Sequence, residues 1–203
     1  MILVVCAVAQ ELKHWKPRPH VEMLVTGIGP VEAAAATSRA LANSAPDVVI
    51  NAGIAGGFKG RASVGEGFAI ESDYFAELGL EEGGVPPSLP GGVKLVVRAD
   101  SDPNLLAVCR RIGAHVGSAI TVATITGTAA RAGELAERFE AEVEAMEGFA
   151  VLRSAAVAGV PALELRGISN IVGPRAEGGW DFDAGARAVA TLLDRFLDAV
   201  AIA

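Results

Sequence analysis

The chemistry legible in this chain rests on Glu11, Glu147, Arg166, Ser169 and Asn170. Glu11 follows the apolar run "MILVVCAVAQ", where its side chain projects from the carboxyl end of a first strand; taken alone it reads more readily as a first-turn glutamate on a helix dipole. Glu147 in "EAMEGF" has the same two readings, as a site acid or an N-terminal helical acid. Arg166 is different. It ends the apolar run "PALELRGI", and a buried guanidinium needs a carboxylate or several acceptors, so it pairs with a site acid or contacts substrate. Carboxylates so placed move protons and stabilise positive charge. The hydroxyl and amide of "RGISN" add hydrogen-bonding groups for a polar ligand.

Other chemistries lack their signatures. No G-x-S-x-G elbow is present, and His14, His20 and His115 have no ligand spacing, so neither a metal site nor an organic cofactor is expected. The glycines of "TGIGP" and "NAGIAGGF" allow backbone N–H groups to approach phosphate, but neither turn ends in G-K-[ST] and "GIGPVE" lacks the third glycine of a dinucleotide fingerprint. Close backbone packing explains such glycines as well as a ligand does.

Short β-rich apolar runs alternate with alanine-rich stretches, the rhythm of βαβ units. Strands are expected at 2–8, 21–26, 47–51, 67–72, 93–98, through "AITVATIT" and in "PALELRGI". Helices are expected at 30–43, 103–112 and 129–139, through "MEGFAVLRSAAVAG", and from "DFDAG" onward. Pro30 suits a first helical position, Gly159 a C-cap, and Asp181 or Asp183 an N-cap. "ELGLEEGGVPPSLPGG" cannot continue a sheet and reads as a surface loop. Ligands in such folds gather beyond the carboxyl ends of strands. "NAGIAGGF", "ATITGT" and "RGISN" fall there, making Gly53, Ile54, Ile125 and Thr126 candidate contacts.

Composition narrows the partners. With 203 residues, 51% of them hydrophobic, the chain suits one domain over 1–203, and few aromatics among many alanines and glycines favour the α/β class. A net charge of −7 and scattered lysines and arginines exclude a polynucleotide footprint. Cys6 and Cys109 lack CxxC spacing, which implies a reducing, cytoplasmic home. The first ten residues imitate the end of a secretory signal but lack its basic region, so they read as a buried strand. No stretch reaches the ~18 apolar residues of a bilayer span, and no membrane partner is expected.

In this order, "CAVAQELKHW", "TGIGPVEAA", "VINAGIAGG", "EAMEGFAV" and "LRGISN" resemble the purine nucleoside phosphorylase and nucleosidase superfamily, most closely its hydrolytic branch and within it the futalosine hydrolases. The resemblance implies a three-layer α/β/α fold with a mixed central sheet, a nucleoside substrate and a homodimer or higher homo-oligomer. It gives Glu11 the role of activating water and Glu147 that of binding ribose hydroxyls. Met146 packs on the sugar, while Ser169 and Asn170 hold the base. Cleavage of an N-glycosidic bond passes through an oxocarbenium-like sugar, which a carboxylate near the ribose hydroxyls stabilises.

The chain departs from its relatives in places. Asn170 stands where many carry aspartate; an amide donates hydrogen bonds but hands over no proton, which suits a 6-oxopurine, although asparagine also pairs with the N6/N7 edge of adenine. Ile54 replaces a serine, Ile125 an aromatic that stacks on the base, and Ala145 an acid. Trp180 is a candidate stacking partner. Futalosine carries an aromatic acid on its ribose side, for which Arg175 is the candidate cation and Trp15 or Phe149 the candidate pocket lining. The alternatives are a methylthioadenosine/S-adenosylhomocysteine nucleosidase, a phosphorylase and a non-catalytic nucleoside-binding module. Against a phosphorylase, Glu11 repels phosphate and no arginine precedes Arg39 in "TGIGPVEAAAATS".

Overall fold

Alternation along the first strand, β1 (Ile2–Cys6), decides how the layers stack. Leu3 and Val5 enter one core cluster, and Val4 and Cys6 enter another on the opposite face. The computed structural model describes residues 1–79, 91–174 and 179–201. After a 3-10 turn at Ala9–Leu12 come β2 (Val21–Val25), α1 (Pro30–Asn43), β3 (Val48–Gly57), β4 (Gly67–Phe75), β5 (Arg98–Asp100) and α2 (Pro103–Arg111). β6 (His115–Thr121), α3 (Ala129–Phe139), β7 (Val143–Ala145), α4 (Gly148–Ala158), β8 (Ala162–Ile171) and α5 (Phe182–Ala201) complete the order.

The strands form one mixed sheet in the order β2-β1-β3-β7-β6-β4-β5, with β8 inserted between β3 and β4. That insertion closes a ring: β3 runs parallel to β8, β8 antiparallel to β4, β4 parallel to β6, β6 parallel to β7, and β7 antiparallel to β3. Ala55, Phe68, Ile70, Ala119, Val143, Ala145 and Ile168 come from all five of these strands and cluster together, small beside large, as the taper of a small barrel requires. Outside it, α1 and α4 cover one face and α2 and α5 the other. Val189, Leu193, Phe196 and Leu197 anchor α5, each buried side chain stabilising by roughly 1.5–3 kcal/mol. The α/β class and the mixed sheet are as the sequence implied.

Caps fix the helix ends. Pro30 opens α1, and the Asp102 carboxylate accepts from Asn104 and Leu105 N–H at the start of α2. Gly159, with φ of 71°, ends α4 in the left-handed region. At α5 it is Asp181 whose carboxylate accepts from Ala184 N–H, while Asp183 pairs with Lys13 and His14.

Several boundaries differ from expectation, each where glycine or tertiary pairing overrides local pattern. "AGIAGG" is not a turn: β3 runs straight through it to Gly57, paired with β7 and β8. "RGISN" is likewise strand, since β8 continues to Ile171 with a register shift opposite Ala55 and Gly56. The strand expected at 93–98 is reduced to Arg98–Asp100, and the one through "AITVATIT" lies earlier, at His115–Thr121. β7 and the 3-10 turn were not expected. Most of the "ELGLEEGGVPPSLPGG" loop lies outside the described residues.

Candidate active site

Glu11 is aimed by the turn that carries it. As third residue of the 3-10 turn it folds back, so that Oε2 accepts from the N–H groups of Ala7 (2.9 Å) and Val8 (3.1 Å) at the end of β1. Oε1 accepts from Ile54 N–H at 2.9 Å, across the gap to β3. The side chain is only 4% exposed. Burial raises its pKa, against the opposing pull of Arg166 and the backbone N–H groups of Val8 and Ile54; the nearby Glu147 charge adds to the rise.

Glu147 precedes α4 and is 5% exposed. Its Oε1 accepts from Gly29 N–H at 3.0 Å, and Oε2 lies 3.6 Å from Arg166 Nη1. The N-terminus of α1, formed by the "TGIGP" turn, is thus engaged by a carboxylate of the chain itself. Arg166, 1% exposed, also donates to Glu164 Oε1 at 2.8 Å and to Asn51 Oδ1 at 2.6 Å. Burial alone would lower the guanidinium pKa; the charges of Glu164, Glu147 and Glu11 outweigh it, and the group stays cationic.

One cavity of about 160 Å³ unites these acids with the base-binding candidates. Glu11, Ile54, Ile125, Met146, Glu147, Ser169, Asn170 and Trp180 all line it. Ser169 Oγ reaches both Ala55 O (3.1 Å) and Asn170 Oδ1 (2.9 Å), so the amide oxygen faces the serine; Nδ2 donates to Ile171 O at 3.3 Å and has a second hydrogen left to donate. Ile125 and Trp180 are partly open to solvent and stand at the mouth.

Three candidates lie elsewhere. Gly53 sits behind the wall: a Cβ there would lie 2.7 Å from both Arg166 Nη1 and Glu11 Oε1, so the glycine exists for the meeting of those two tips. Arg166 is likewise behind the acids and not in the lining. Thr126 acts through its N–H, which donates to Glu144 Oε1 at 3.1 Å. Arg175 falls outside the described residues. Of the aromatics considered for the ribose end, Trp15 is packed in the core beside Leu12 and Phe149 stacks on Phe75 at 5.6 Å; neither lines the cavity, because both fill space between helix and sheet.

A model of the phosphorylase superfamily matches residues 16–201. The chain belongs to that superfamily. It is 42% identical over 166 residues to a futalosine hydrolase of Streptomyces coelicolor, spanning 78% of this chain and 71% of the relative. A futalosine hydrolase of Thermus thermophilus is 34% identical, over 86% of this chain and 80% of the relative. Among solved structures, the futalosine hydrolase of Helicobacter pylori superposes with a TM-score of 0.83 at 18% identity, covering 97% of both chains, which establishes the shared fold.

Several residues lining this cavity carry no signal in the sequence or a misleading one. Gly56, Ala7, Val8, Ile28 and Phe182 line the cavity and have no residue-type signal. Glu144 does have a signal, but a misleading one: in "EAEVEAMEG" it alternates with apolar residues and looks like part of a solvated face, yet it is 6% exposed and lines the cavity.

Proposed function

We propose that the chain is an N-glycosidic hydrolase acting on futalosine, releasing hypoxanthine. Glu11 takes a proton from water as the water oxygen bonds to the anomeric carbon and the C–N bond to the base breaks. Glu147, held by Gly29 N–H and the Arg166 guanidinium, accepts the ribose hydroxyls and gains attraction as positive charge grows on the sugar. The departing electron pair is delocalised toward O6, where the Asn170 amide donates.

One observation carries the reading: two buried carboxylates at one cavity, braced by a common arginine and facing an amide donor. Hydrolysis is favoured over phosphorolysis by two features. The cavity lining contains no lysine or arginine among the described residues, and the N–H of Gly29 at the start of α1, a group suited to phosphate, already serves Glu147. The buried free thiols Cys6 and Cys109 suit a reducing cytoplasm, and the futalosine reading places the chain in the alternative menaquinone route. We also infer a single domain over 1–203 and a homodimer or higher homo-oligomer, in keeping with exposed Met23, Val25, Ile28 and Val31, of which Ile28 also lines the cavity. Among the described residues no helix is long and apolar enough to cross a membrane.

Incubation with futalosine, inosine, methylthioadenosine and S-adenosylhomocysteine, with and without phosphate, tests the reading. The expected result is free hypoxanthine from futalosine at a rate indifferent to phosphate. Formation of a sugar 1-phosphate, or release of adenine alone, overturns it.

A further inference from the structure

The cavity has a seam where the turn carrying Glu11 meets the start of α5. Ala7, Val8 and Glu11 line it from the turn side, Trp180 and Phe182 from the helix side. Just outside the lining, charged side chains fasten the two elements together. Asp183 Oδ1 pairs with Lys13 Nζ at 2.6 Å and with His14 Nε2 at 2.8 Å, both on the chain directly after the 3-10 turn. Its other oxygen, Oδ2, accepts from Arg187 at 2.6 Å, one turn along the same helix, which orients the carboxylate so that Oδ1 faces the turn. Lys13 reaches further: its ammonium lies 5.9 Å from the ring centroid of Phe182, the aromatic in the cavity wall. The three donors, Lys13 foremost, hold the Asp183 carboxyl well below the usual carboxylate range.

The rest of α5 is anchored by other means. Gly185 crosses β8 so closely that a Cβ on it would lie 2.9 Å from Ser169 Cβ and 3.1 Å from Gly167 O. Val189, Leu193, Phe196 and Leu197 follow in the core. Phe182 lies ahead of these anchors and is only half-buried. Toward β8 its neighbour Asp181 donates its N–H to Ser169 O at 2.8 Å; toward the turn, the tie is the Asp183 clasp. A second ion cluster fastens the same N-terminal segment to α5 away from the active-site cavity, where Arg18 pairs with Asp194 and Asp198. Asp194 is about 16 Å further along the helix than Asp183. An isolated pair of exposed charges is worth little. At Asp183 one carboxylate gathers three donors, and Lys13 carries the connection to a ring that lines the cavity.

We propose that Asp183 is a positioning residue: by clasping Lys13 and His14 it holds Phe182 against the catalytic turn, so that the seam stays shut on a bound nucleoside. This rests on the nucleosidase reading and deepens it. Glu11 itself is fixed by the N–H groups of Ala7, Val8 and Ile54, independently of the clasp. Losing the clasp therefore loosens the grip on substrate while leaving the base in place, an effect on KM and not on kcat.

The test compares Asp183→Ala with Asp198→Ala, which weakens the corresponding tie away from the cavity. Asp183→Ala should raise KM for futalosine about tenfold and keep kcat within about threefold of native. Asp198→Ala should change neither, and Asp183→Glu, which restores the charge, should recover most of the loss. Lys13→Met should reproduce the Asp183→Ala effect, and the double variant should be little worse than either, because both remove one clasp. A native KM in Asp183→Ala, an equal rise in Asp198→Ala, or effects of Asp183→Ala and Lys13→Met that simply multiply would each overturn the positioning role while leaving a futalosine-cleaving enzyme intact. Hydrogen exchange needs no substrate: amides in the first two turns of α5 should exchange about tenfold faster in Asp183→Ala than in the native chain, with those around Asp198 unaltered. Should the native chain cleave no nucleoside, the function falls and exchange still decides the clasp, which unchanged rates would overturn.

Discussion

Replacing Gly53 by alanine isolates the requirement that Glu11 and Arg166 meet. The new methyl would lie 2.7 Å from the tips of both side chains, about 0.7 Å inside ordinary van der Waals contact. Neither tip has freedom to retreat. Glu11 is held by three backbone N–H groups, and Arg166 by Asn51, Glu164 and the carbonyl of Ile54 at 3.5 Å. Overpacking of this kind costs about 1–3 kcal/mol. A displaced general base costs more in rate than in stability, about 100-fold in kcat for a shift approaching 1 Å. Thermal unfolding and steady-state release of hypoxanthine measure the two effects. Gly133→Ala is the internal control: it sits exposed in α3 with nothing within 4 Å of its added Cβ, and should gain about 0.5–1 kcal/mol with no change in rate. Gly53→Ala with native kcat and native unfolding temperature would refute the argument that this glycine exists to let the two charges approach.

Other perturbations probe the same charges. Glu11→Gln should lower turnover by 10²–10⁴-fold while calorimetry still detects hypoxanthine binding. In the native enzyme Glu11 must be ionised to act, so its raised pKa moves the acid limb of the kcat/KM profile above the 4.5 of an ordinary glutamate, and activity is lost as pH falls through that limb. Arg166→Met leaves Glu147 and Glu164 buried without their cation and should destabilise by about 3–5 kcal/mol, read from denaturant midpoints. Asp73 is pushed well above its usual range by burial and by the Glu164 charge, so the folded chain holds a proton that the unfolded chain releases. Its contribution is complete below the unfolded value of 3.8 and shrinks as pH rises toward the folded one, by up to about 1.4 kcal/mol per pH unit. Asp73→Asn should flatten that decline, and an unaltered slope would place the proton elsewhere.

The sequence made the acids legible because each sits beside a strong local pattern: Glu11 after an apolar strand, Glu147 at a helix start. Arg166 stands out as a charge ending an apolar run, whereas its partner Glu164, two residues earlier in the same run, has no local pattern beside it. The spacing of two is the reason for the pairing: both side chains leave β8 on one face, while Leu163 and Leu165 leave on the other into the α5 core. Glu144, Asp73 and Gly56 were hidden for another reason. Their meaning depends on which strand lies alongside, and a closed ring in which β8 runs between β3 and β4 cannot be deduced from alternation within a single strand. Reading "AGIAGG" as a turn fails for the same cause, since small residues are required there by neighbours distant in sequence.

Charge balance behind the cavity ties these features together. Glu11, Glu147, Glu164 and Asp73 crowd around one guanidinium, and the cluster is too dry to ionise them all. Asp73 and Glu164 approach so closely beneath the start of α4 that a Cβ on Gly148 would touch both, at 2.2 Å from an oxygen of each. Two such carboxyls retain a proton between them, and Asp73, which takes a hydrogen bond from the Thr121 hydroxyl, is the one driven to stay protonated. Keeping that proton at the rear spares the positive charge of Arg166 for Glu147 and Glu11 at the front. Arg166 thus stands between a rear carboxyl pair and the two acids that line the cavity, 2.8 Å from Glu164 and 3.6 Å from Glu147.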